Sequence, residues 1–170
     1  MTNIDNFKNT KVLVVGFGKS GIAATQALLK LGAVVSVQDS KSENEIDKNL
    51  MTFFVNRGVE FYTGTIPLNM RSFDMLVLSP GVNPELDFIS EAVKSGIEVT
   101  GELEIAYRIG KGNYIAITGT NGKTTVTSLV GEIFKLSGRK TYVVGNIGVA
   151  VISESARAQE KDWLVTECSS

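Results

Sequence analysis

Short apolar runs alternate with segments of helical periodicity along most of the chain. The first run, Val12–Val15, is continuously apolar, which is typical of a strand covered on both faces. Ala24, Ala27 and Leu28 follow at helical spacing, and Gly32 ends that helix. Repeated strand–helix units of this kind predict a parallel sheet with helices on its faces.

The same alternation predicts the remaining elements. Further strands are expected at 34–38, 59–62, 75–78, 97–99, 114–118, 141–144 and 163–166. Ser42 and Glu45 form a capping-box pattern that predicts a helix ending at Gly58, and Asn83-Pro84 predicts the start of another. Helices are also expected from Thr100 to about Ile109 and after residue 122, where Val126, Leu129, Val130, Ile133 and Phe134 form an apolar face.

The amino-acid composition argues against several functional classes. The 170 residues carry a net charge of −1, which gives no electrostatic reason to expect nucleic acid or anionic membrane as a partner. The single cysteine excludes an internal disulfide, and the absence of histidine excludes histidine-based triads and histidine metal sites. With no signal-peptide pattern and no apolar run of membrane-spanning length, we expect a cytoplasmic protein.

The small polar segment Gly110–Asn113 predicts a domain boundary. We therefore expect a Rossmann-like parallel-sheet domain at 1–112 and the start of a phosphate-loop α/β domain at 113–170. The second segment, of about 58 residues, is at the low end of what folds alone, so we interpret the chain as part of a longer protein.

The first motif, Gly16-Phe17-Gly18-Lys19-Ser20-Gly21, lies between a predicted strand and helix. Glycines there allow a tight turn and let a ligand phosphate approach the helix N-terminus. Asp39 ends the next strand, where a carboxylate can accept hydrogen bonds from a ribose or a base. The pattern predicts a nucleotide site without saying which nucleotide.

Two further glycine motifs follow predicted strands. Ser79-Pro80-Gly81 lies where ligands of open α/β sheets bind, although an ordinary turn has the same pattern. Gly145-Asn146-Ile147-Gly148 also suggests a loop near a ligand, and again a plain turn would look the same.

The strongest local pattern is Gly119-Thr120-Asn121-Gly122-Lys123-Thr124-Thr125, between a strand and a helix. Its backbone N–H groups can form an anion cradle, Lys123 can reach β- and γ-phosphates, and Thr124 can bind Mg²⁺. The loop is a variant, because Ile117 stands where the usual pattern has glycine. Glu167 ends the last predicted strand, where an acid often completes such a Mg²⁺ site.

Together these motifs resemble the Mur ligases, the ATP-dependent enzymes that build the peptide stem of bacterial peptidoglycan. The loop at 119–125, Gly145–Gly148 and Glu167-Cys168-Ser169-Ser170 are similar to that family's central domain in order and spacing. The glycine loop at 16–21, Ser79-Pro80-Gly81 and Gly101-Glu102-Leu103-Glu104 are similar to members that add D-glutamate.

The resemblance implies a role for each matching position. It implies substrate binding by Gly18, Lys19, Ser20, Gly21, Asp39, Ser40, Ser79, Gly81, Asn146 and Ser169, with the uridine end at 18–21, Asp39 and Ser40 and the diphosphate at Gly81 and Asn146. It implies ATP binding by Gly119, Thr120, Asn121, Gly122, Lys123, Thr124 and Thr125, catalysis by Lys123 and Glu167, and Mg²⁺ binding by Thr124 and Glu167.

The resemblance also implies the reaction: ATP phosphorylates the substrate carboxylate of UDP-N-acetylmuramoyl-L-alanine, and the amine of D-glutamate attacks the acyl phosphate. We expect ATP and Mg²⁺ as cofactors, a monomer without nucleic-acid or membrane partners, and a place in peptidoglycan synthesis and so in cell shape and division. The resemblance places the second metal site and the amino-acid-binding domain beyond residue 170, so this chain alone should be inactive.

Two other functions fit part of the sequence. A nicotinamide-dependent oxidoreductase would explain residues 16–39 but not the loop at 119–125. A non-catalytic nucleotide-sensing module would bind a uridine nucleotide without affinity for ATP.

Overall fold

The computed structural model describes residues 6–168, which form two compact units that divide between Glu102 and Leu103. Both units are built from parallel strands with helices between them. The predicted α/β fold class is thereby confirmed. No helix in residues 6–168 is long and apolar enough to cross a membrane.

The first unit is a five-stranded parallel sheet with the order β3-β2-β1-β4-β5. Its strands are β1 (Lys11–Val15), β2 (Val34–Asp39), β3 (Glu60–Thr63), β4 (Met75–Leu78) and β5 (Glu98–Gly101), and its helices are α1 (Lys19–Lys30), α2 (Lys48–Val55) and α3 (Asp87–Lys94). The order reverses between β1 and β4, and such a reversal opens a crevice at the carboxyl ends of the strands.

The core of the first unit lies on both faces of β1. Val12, Leu13 and Val14 are fully buried, as the continuous apolar run predicts. On one face α1 packs mainly through small residues, with Gly21, Ala24 and Ala27 buried. Short side chains let this helix approach the sheet closely, which brings its N-terminus to the end of β1.

Two helices of the first unit begin later than the sequence predicts. The capping box of Ser42 and Glu45 forms, but it closes a short 3-10 turn, and α2 begins only at Lys48 with Asp47 as its cap. Asn83 accepts a hydrogen bond from the backbone N–H of Glu85 at 2.9 Å, and α3 begins later, at Asp87. In both places a local side-chain bond stabilises a turn instead of starting the helix.

The second unit is a three-stranded parallel sheet with the order β6-β8-β7. Its strands are β6 (Asn113–Ile117), β7 (Thr141–Gly145) and β8 (Trp163–Glu167); α5 (Lys123–Leu136) and α6 (Val151–Ser155) lie in this unit, and α4 (Glu102–Ile109) begins at its boundary. Ile117, Gly145 and Glu167 are in register at the carboxyl edge, with Glu167 on the central strand.

The face of α5 that packs on the sheet differs from the predicted apolar face. Thr127 and Gly131 are buried, whereas Val126, Leu129 and Ile133 are each about half exposed. A Cβ atom at residue 131 would overlap the side chain of Val143, so Gly131 lets the helix lie directly against β7. Close backbone approach, rather than apolar periodicity, determines the rotation of this helix.

Tyr114 links helix α4 to the second unit. The phenol of Tyr114 donates to the carbonyl of Ala106 at 2.9 Å and lies 2.8 Å from the hydroxyl of Ser155. The Tyr107 ring packs edge-on against the Tyr114 ring. The compact units consequently divide ahead of Gly110–Asn113, and the domain boundary at 112/113 remains a prediction.

Candidate functional site

A cleft of about 850 Å³ opens at the carboxyl edge of the first sheet, beside the reversal in strand order. It is lined by Val15, Gly16, Gln38, Asp39, Ser40, Gly64, Thr65, Ile66, Gly81, Val82, Asn83, Leu86, Asp87 and Phe88. Asp39, Ser40 and Gly81 are the predicted substrate-binding residues in this lining. Its position and size suit a nucleotide-sized ligand.

The glycine loop between β1 and α1 depends on two of its glycines. Gly16 has φ of +89°, a conformation that other residues rarely adopt. A Cβ atom at Gly21 would overlap the Gly16 carbonyl oxygen, so the first turn of α1 packs directly on the loop backbone. Among the described residues no side chain caps the helix at Gly18, which leaves the first N–H groups of α1, including those of Lys19 and Ser20, for another acceptor.

The Asp39 carboxylate is held by backbone N–H groups. Its Oδ2 atom accepts from Phe17 at 2.6 Å and its Oδ1 atom accepts from Lys41 at 2.8 Å. The Phe17 ring packs edge-on against Phe54 and Phe61, so this loop residue is anchored through both backbone and side chain. Asp39 therefore fixes the glycine loop to the end of β2, and Ser40 beside it is exposed in the cleft.

Ser79 faces the same loop. It is 9% exposed, and its hydroxyl donates to the Gly16 carbonyl at 2.9 Å. Gly81, two residues further along, has φ of +91° and open space around its Cα atom. An unobstructed backbone at Gly81 is what close approach of a diphosphate would require.

Several cleft residues were not singled out from the sequence. Gln38 and Thr65 are joined by a 3.1 Å hydrogen bond from the Gln38 amide to the Thr65 carbonyl. Ile66, Leu86 and Phe88 supply the apolar part of the lining. The sequence signal is weak: Thr65 and Ile66 follow an edge strand after Gly64, and Gln38 is a polar residue next to the end of β2.

In the second unit the loop at 119–122 connects β6 to α5. Gly119 and Gly122 have φ of +148° and +74°, and no side chain of the part of the chain that the structure describes caps the start of α5. The Lys123 ammonium donates to the Gly119 carbonyl at 2.6 Å, so this side chain folds back over the loop. Thr120, Asn121, Thr124 and Thr125 are exposed.

Glu167 ends the central strand at the same sheet edge. It is 6% exposed, and among the described residues its Oε2 atom has no hydrogen-bond partner. Gly145 lies directly beside it, where a Cβ atom would overlap the Glu167 backbone. Asn146 follows and donates its N–H to the Glu167 carbonyl at 3.1 Å. The register thus brings Asn146 and Glu167 together, with the loop at 119–122 following the adjacent strand.

The oxygen ligands at this edge of the second sheet fit Mg²⁺. A buried carboxylate oxygen without a partner is costly unless a cation or donor meets it, and Mg²⁺ prefers carboxylate and hydroxyl oxygens. Within residues 6–168 no three His, Cys, Asp or Glu side chains cluster to hold a metal. Mg²⁺ at a phosphate loop does not need such a cluster, because phosphate oxygens and water complete its coordination.

Cys168 follows Glu167, and its N–H donates to the Ile117 carbonyl at 2.9 Å. Burial, and then the neighbouring Glu167 charge, raise the pKa of its thiol. A thiol held neutral is a poor nucleophile, in agreement with a packing role. Ser169, the remaining predicted substrate-binding residue, lies outside the described residues.

Two family models match the chain. Residues 10–101 match the Mur ligase MurD-like N-terminal domain, and residues 117–170 match the Mur ligase middle domain. The UDP-N-acetylmuramoylalanine--D-glutamate ligase of Alkaliphilus oremlandii is 47% identical over 97% of this chain and 37% of its own length. The ligase of the same name from Clostridioides difficile is 45% identical over 97% of this chain and 37% of its own.

Solved structures show the same fold. A pseudomurein peptide ligase type C from Methanothermus fervidus aligns with 95% of this chain and 33% of its own, at a TM-score of 0.54 and 24% identity. The UDP-N-acetylmuramate:L-alanyl-gamma-D-glutamyl-meso-diaminopimelate ligase of Neisseria meningitides aligns with 93% of this chain and 52% of its own, at a TM-score of 0.53 and 15% identity.

The chain spans little more than a third of the length of the curated relatives it matches. The N-terminal model alone covers more than half of the chain, and the middle-domain model covers most of the remainder. The predicted resemblance is therefore confirmed, and the chain belongs to the Mur ligase family, with a MurD-like N-terminal domain followed by middle-domain sequence.

Proposed function

We propose that this chain carries the uridine-nucleotide site and the phosphate loop of an ATP-dependent ligase that joins D-glutamate to UDP-N-acetylmuramoyl-L-alanine. The observation that carries the proposal is the edge of the second sheet, where a buried Glu167 oxygen without a hydrogen-bond partner in residues 6–168 lies at the same edge as the loop before Lys123. The relatives' names supply the substrates, since both are UDP-N-acetylmuramoylalanine--D-glutamate ligases.

In the first unit, the N–H groups of Gly18–Gly21 and the polar groups of Asp39 and Ser40 would bind the uridine end of the substrate. By the family resemblance, Gly81 and Asn146 would each contact the diphosphate, and Ser169 would bind the substrate. The family resemblance also implies that Ser79 binds the substrate. The open backbone at Gly81 and the uncapped start of α1 support these assignments.

In the second unit, residues 119–125 would hold the phosphates of ATP against the start of α5. The Lys123 ammonium would leave the Gly119 carbonyl and stabilise negative charge on the transferred phosphoryl group. Thr124 and Glu167 would hold Mg²⁺, which when bound supplies charge stabilisation and phosphate orientation.

The reaction then has two transfers. A carboxylate oxygen of the alanyl group attacks the γ-phosphorus of ATP, the bond to the β-phosphate oxygen breaks, and ADP leaves. The amine of D-glutamate next attacks the acyl carbonyl, loses a proton and expels inorganic phosphate to form the amide. We also propose a cytoplasmic, monomeric protein acting in peptidoglycan precursor synthesis, because nucleotide-linked substrates and ATP are available there.

The experiment is a set of calorimetric titrations of the chain with UDP, ATP–Mg²⁺ and NADH. The proposal predicts binding of the first two and none of NADH. Binding of NADH alone would support the oxidoreductase, and binding of UDP without ATP would support a nucleotide-sensing module; either result would contradict the proposal.

A further inference from the structure

Ser79 closes the junction between β1 and β4 with two hydrogen bonds. Its backbone N–H donates to the Val15 carbonyl at 2.9 Å, which extends the strand pairing by one step. Its hydroxyl then donates to the next carbonyl, that of Gly16, at 2.9 Å. The residue that follows β4 thus binds both the last residue of β1 and the first residue of the glycine loop.

Residues of the glycine loop lie around the Ser79 hydroxyl. A Cβ atom at Gly16 would lie 3.1 Å from the Ser79 Cβ atom, and one at Gly21 would lie 2.8 Å from the Ser79 hydroxyl oxygen. A serine hydroxyl has one hydrogen to donate, and here the Gly16 carbonyl receives it. The Ser79 donor is consequently engaged with the protein.

We propose that Ser79 is a positioning residue that holds the glycine loop in the shape that receives the uridine nucleotide, and that its hydroxyl does not contact the substrate itself. This inference rests on the proposed function and changes the role that the family resemblance implies for Ser79. Two loop N–H groups already bond to β2: that of Gly16 donates to the Gln38 carbonyl at 2.7 Å, and that of Phe17 donates to the Asp39 carboxylate. Ser79 adds a hydrogen bond from the segment that follows β4.

The hydrogen bond from Ser79 to the Gly16 carbonyl should affect the affinity of the loop for ligands. Without the hydroxyl, the Gly16 carbonyl loses its partner and the loop samples other conformations before a ligand arrives. Ordering it again on binding reduces the affinity for any ligand that uses the loop. A residue that contacted a phosphate group would instead weaken binding without changing the ligand-free loop.

The test compares Ser79→Ala with the unchanged chain by calorimetric titration with UMP and UDP, and by amide hydrogen exchange of residues 16–21 without ligand. We expect both nucleotides to bind about five- to tenfold more weakly, as the loss of one hydrogen bond predicts. Exchange in the ligand-free loop should become faster. Ser79→Thr, which retains the hydroxyl, should restore both properties, and Ser36→Ala, a buried serine of β2, should change neither.

Weaker binding of either nucleotide with unchanged loop exchange would identify Ser79 as a phosphate ligand and overturn the proposal. Unchanged binding and exchange would overturn it as well. If the unchanged chain binds neither nucleotide, the proposed function fails, while the exchange of the ligand-free loop still tests the positioning role. If Ser79→Ala loses the exchange protection of β4, Ser79→Cys replaces it, because cysteine keeps the volume and weakens the donor.

Discussion

At the residue scale, Lys123 is the most direct test of the phosphate loop. Its ammonium donates to the Gly119 carbonyl, so its charge is already directed at the space enclosed by the loop. Lys123→Ala should weaken ATP–Mg²⁺ binding about 10- to 100-fold, which is the effect of losing a charged hydrogen-bond donor. Calorimetric titration with ATP–Mg²⁺ and with UDP measures this, and UDP binding should not change.

Lys161→Ala is the matched control for Lys123→Ala. Lys161 is an exposed lysine of the same unit, in a turn before β8. Its replacement should leave ATP binding unchanged. Equal losses in the two variants would show that general surface charge, rather than the loop lysine, attracts the nucleotide.

The Glu167 carboxylate should lower the stability of the fold and contribute to Mg²⁺ binding. Its buried Oε2 atom has no partner among the described residues, and an unpaired carboxylate in such a place is unfavourable. Glu167→Gln should therefore leave the melting temperature of the chain unchanged or higher. The Mg²⁺-dependent gain in ATP affinity should fall roughly tenfold or more, because a metal ligand is lost.

Calorimetric scanning and ATP titration with and without Mg²⁺ separate these effects. A lower melting temperature with an intact Mg²⁺ effect would show that Glu167 serves only the fold. Cys168→Ala is the neighbouring control, since a neutral packed thiol should not affect the Mg²⁺ dependence.

At the element scale, the contact between the glycine loop and α1 requires Gly21. A methyl group there would overlap the Gly16 carbonyl, so the helix would have to move away from β1. Gly21→Ala should destabilise the first unit by about 1–3 kcal/mol, as overpacking does, and abolish UDP binding. Gly101→Ala is the control, since the space around residue 101 is open. Urea unfolding and UDP titration measure both effects, and a Gly21→Ala chain of normal stability that binds UDP would contradict the close contact.

The attachment of α4 to the second unit depends on the Tyr114 hydroxyl. Tyr114→Phe removes the bond to the Ala106 carbonyl and should destabilise that unit by about 1–2 kcal/mol. Tyr107→Phe is the control and should have little effect, because Tyr107 is 62% exposed and the variant keeps the ring contact with Tyr114. Hydrogen exchange of α4 amides measures the effect; equal exchange in both variants would mean that other contacts hold the helix.

Element boundaries show what the sequence pattern predicts and what it misses. The strand at 75–78 is found as predicted, because a buried parallel strand is a continuous apolar run. The start of α2 was missed because the Ser42–Glu45 pattern stabilises a 3-10 turn equally well. The buried face of α5 was missed because Gly131 packs closest to the sheet, and no apolar periodicity marks a glycine contact.

At the scale of the whole molecule, the two parallel sheets and their glycine loops follow from strand–helix alternation. The reversal in strand order between β1 and β4, which places the cleft, does not follow from periodicity, because pairing partners are set by tertiary packing. The contacts of Asp39 and Ser79 with the glycine loop do not follow from periodicity either: the Asp39 carboxylate accepts from the Phe17 N–H, and the Ser79 hydroxyl donates to the Gly16 carbonyl. That Asp39 and Ser79 also contact a ligand remains a prediction.

The most direct test of the central claim is calorimetric titration of this chain with UDP, followed by ATP–Mg²⁺ and, in a separate sample, by NADH. The account predicts that UDP and ATP–Mg²⁺ each bind once and that neither displaces the other, because the two glycine loops lie in different units. It predicts no heat with NADH. Binding of NADH in competition with UDP, and no binding of ATP, would contradict it.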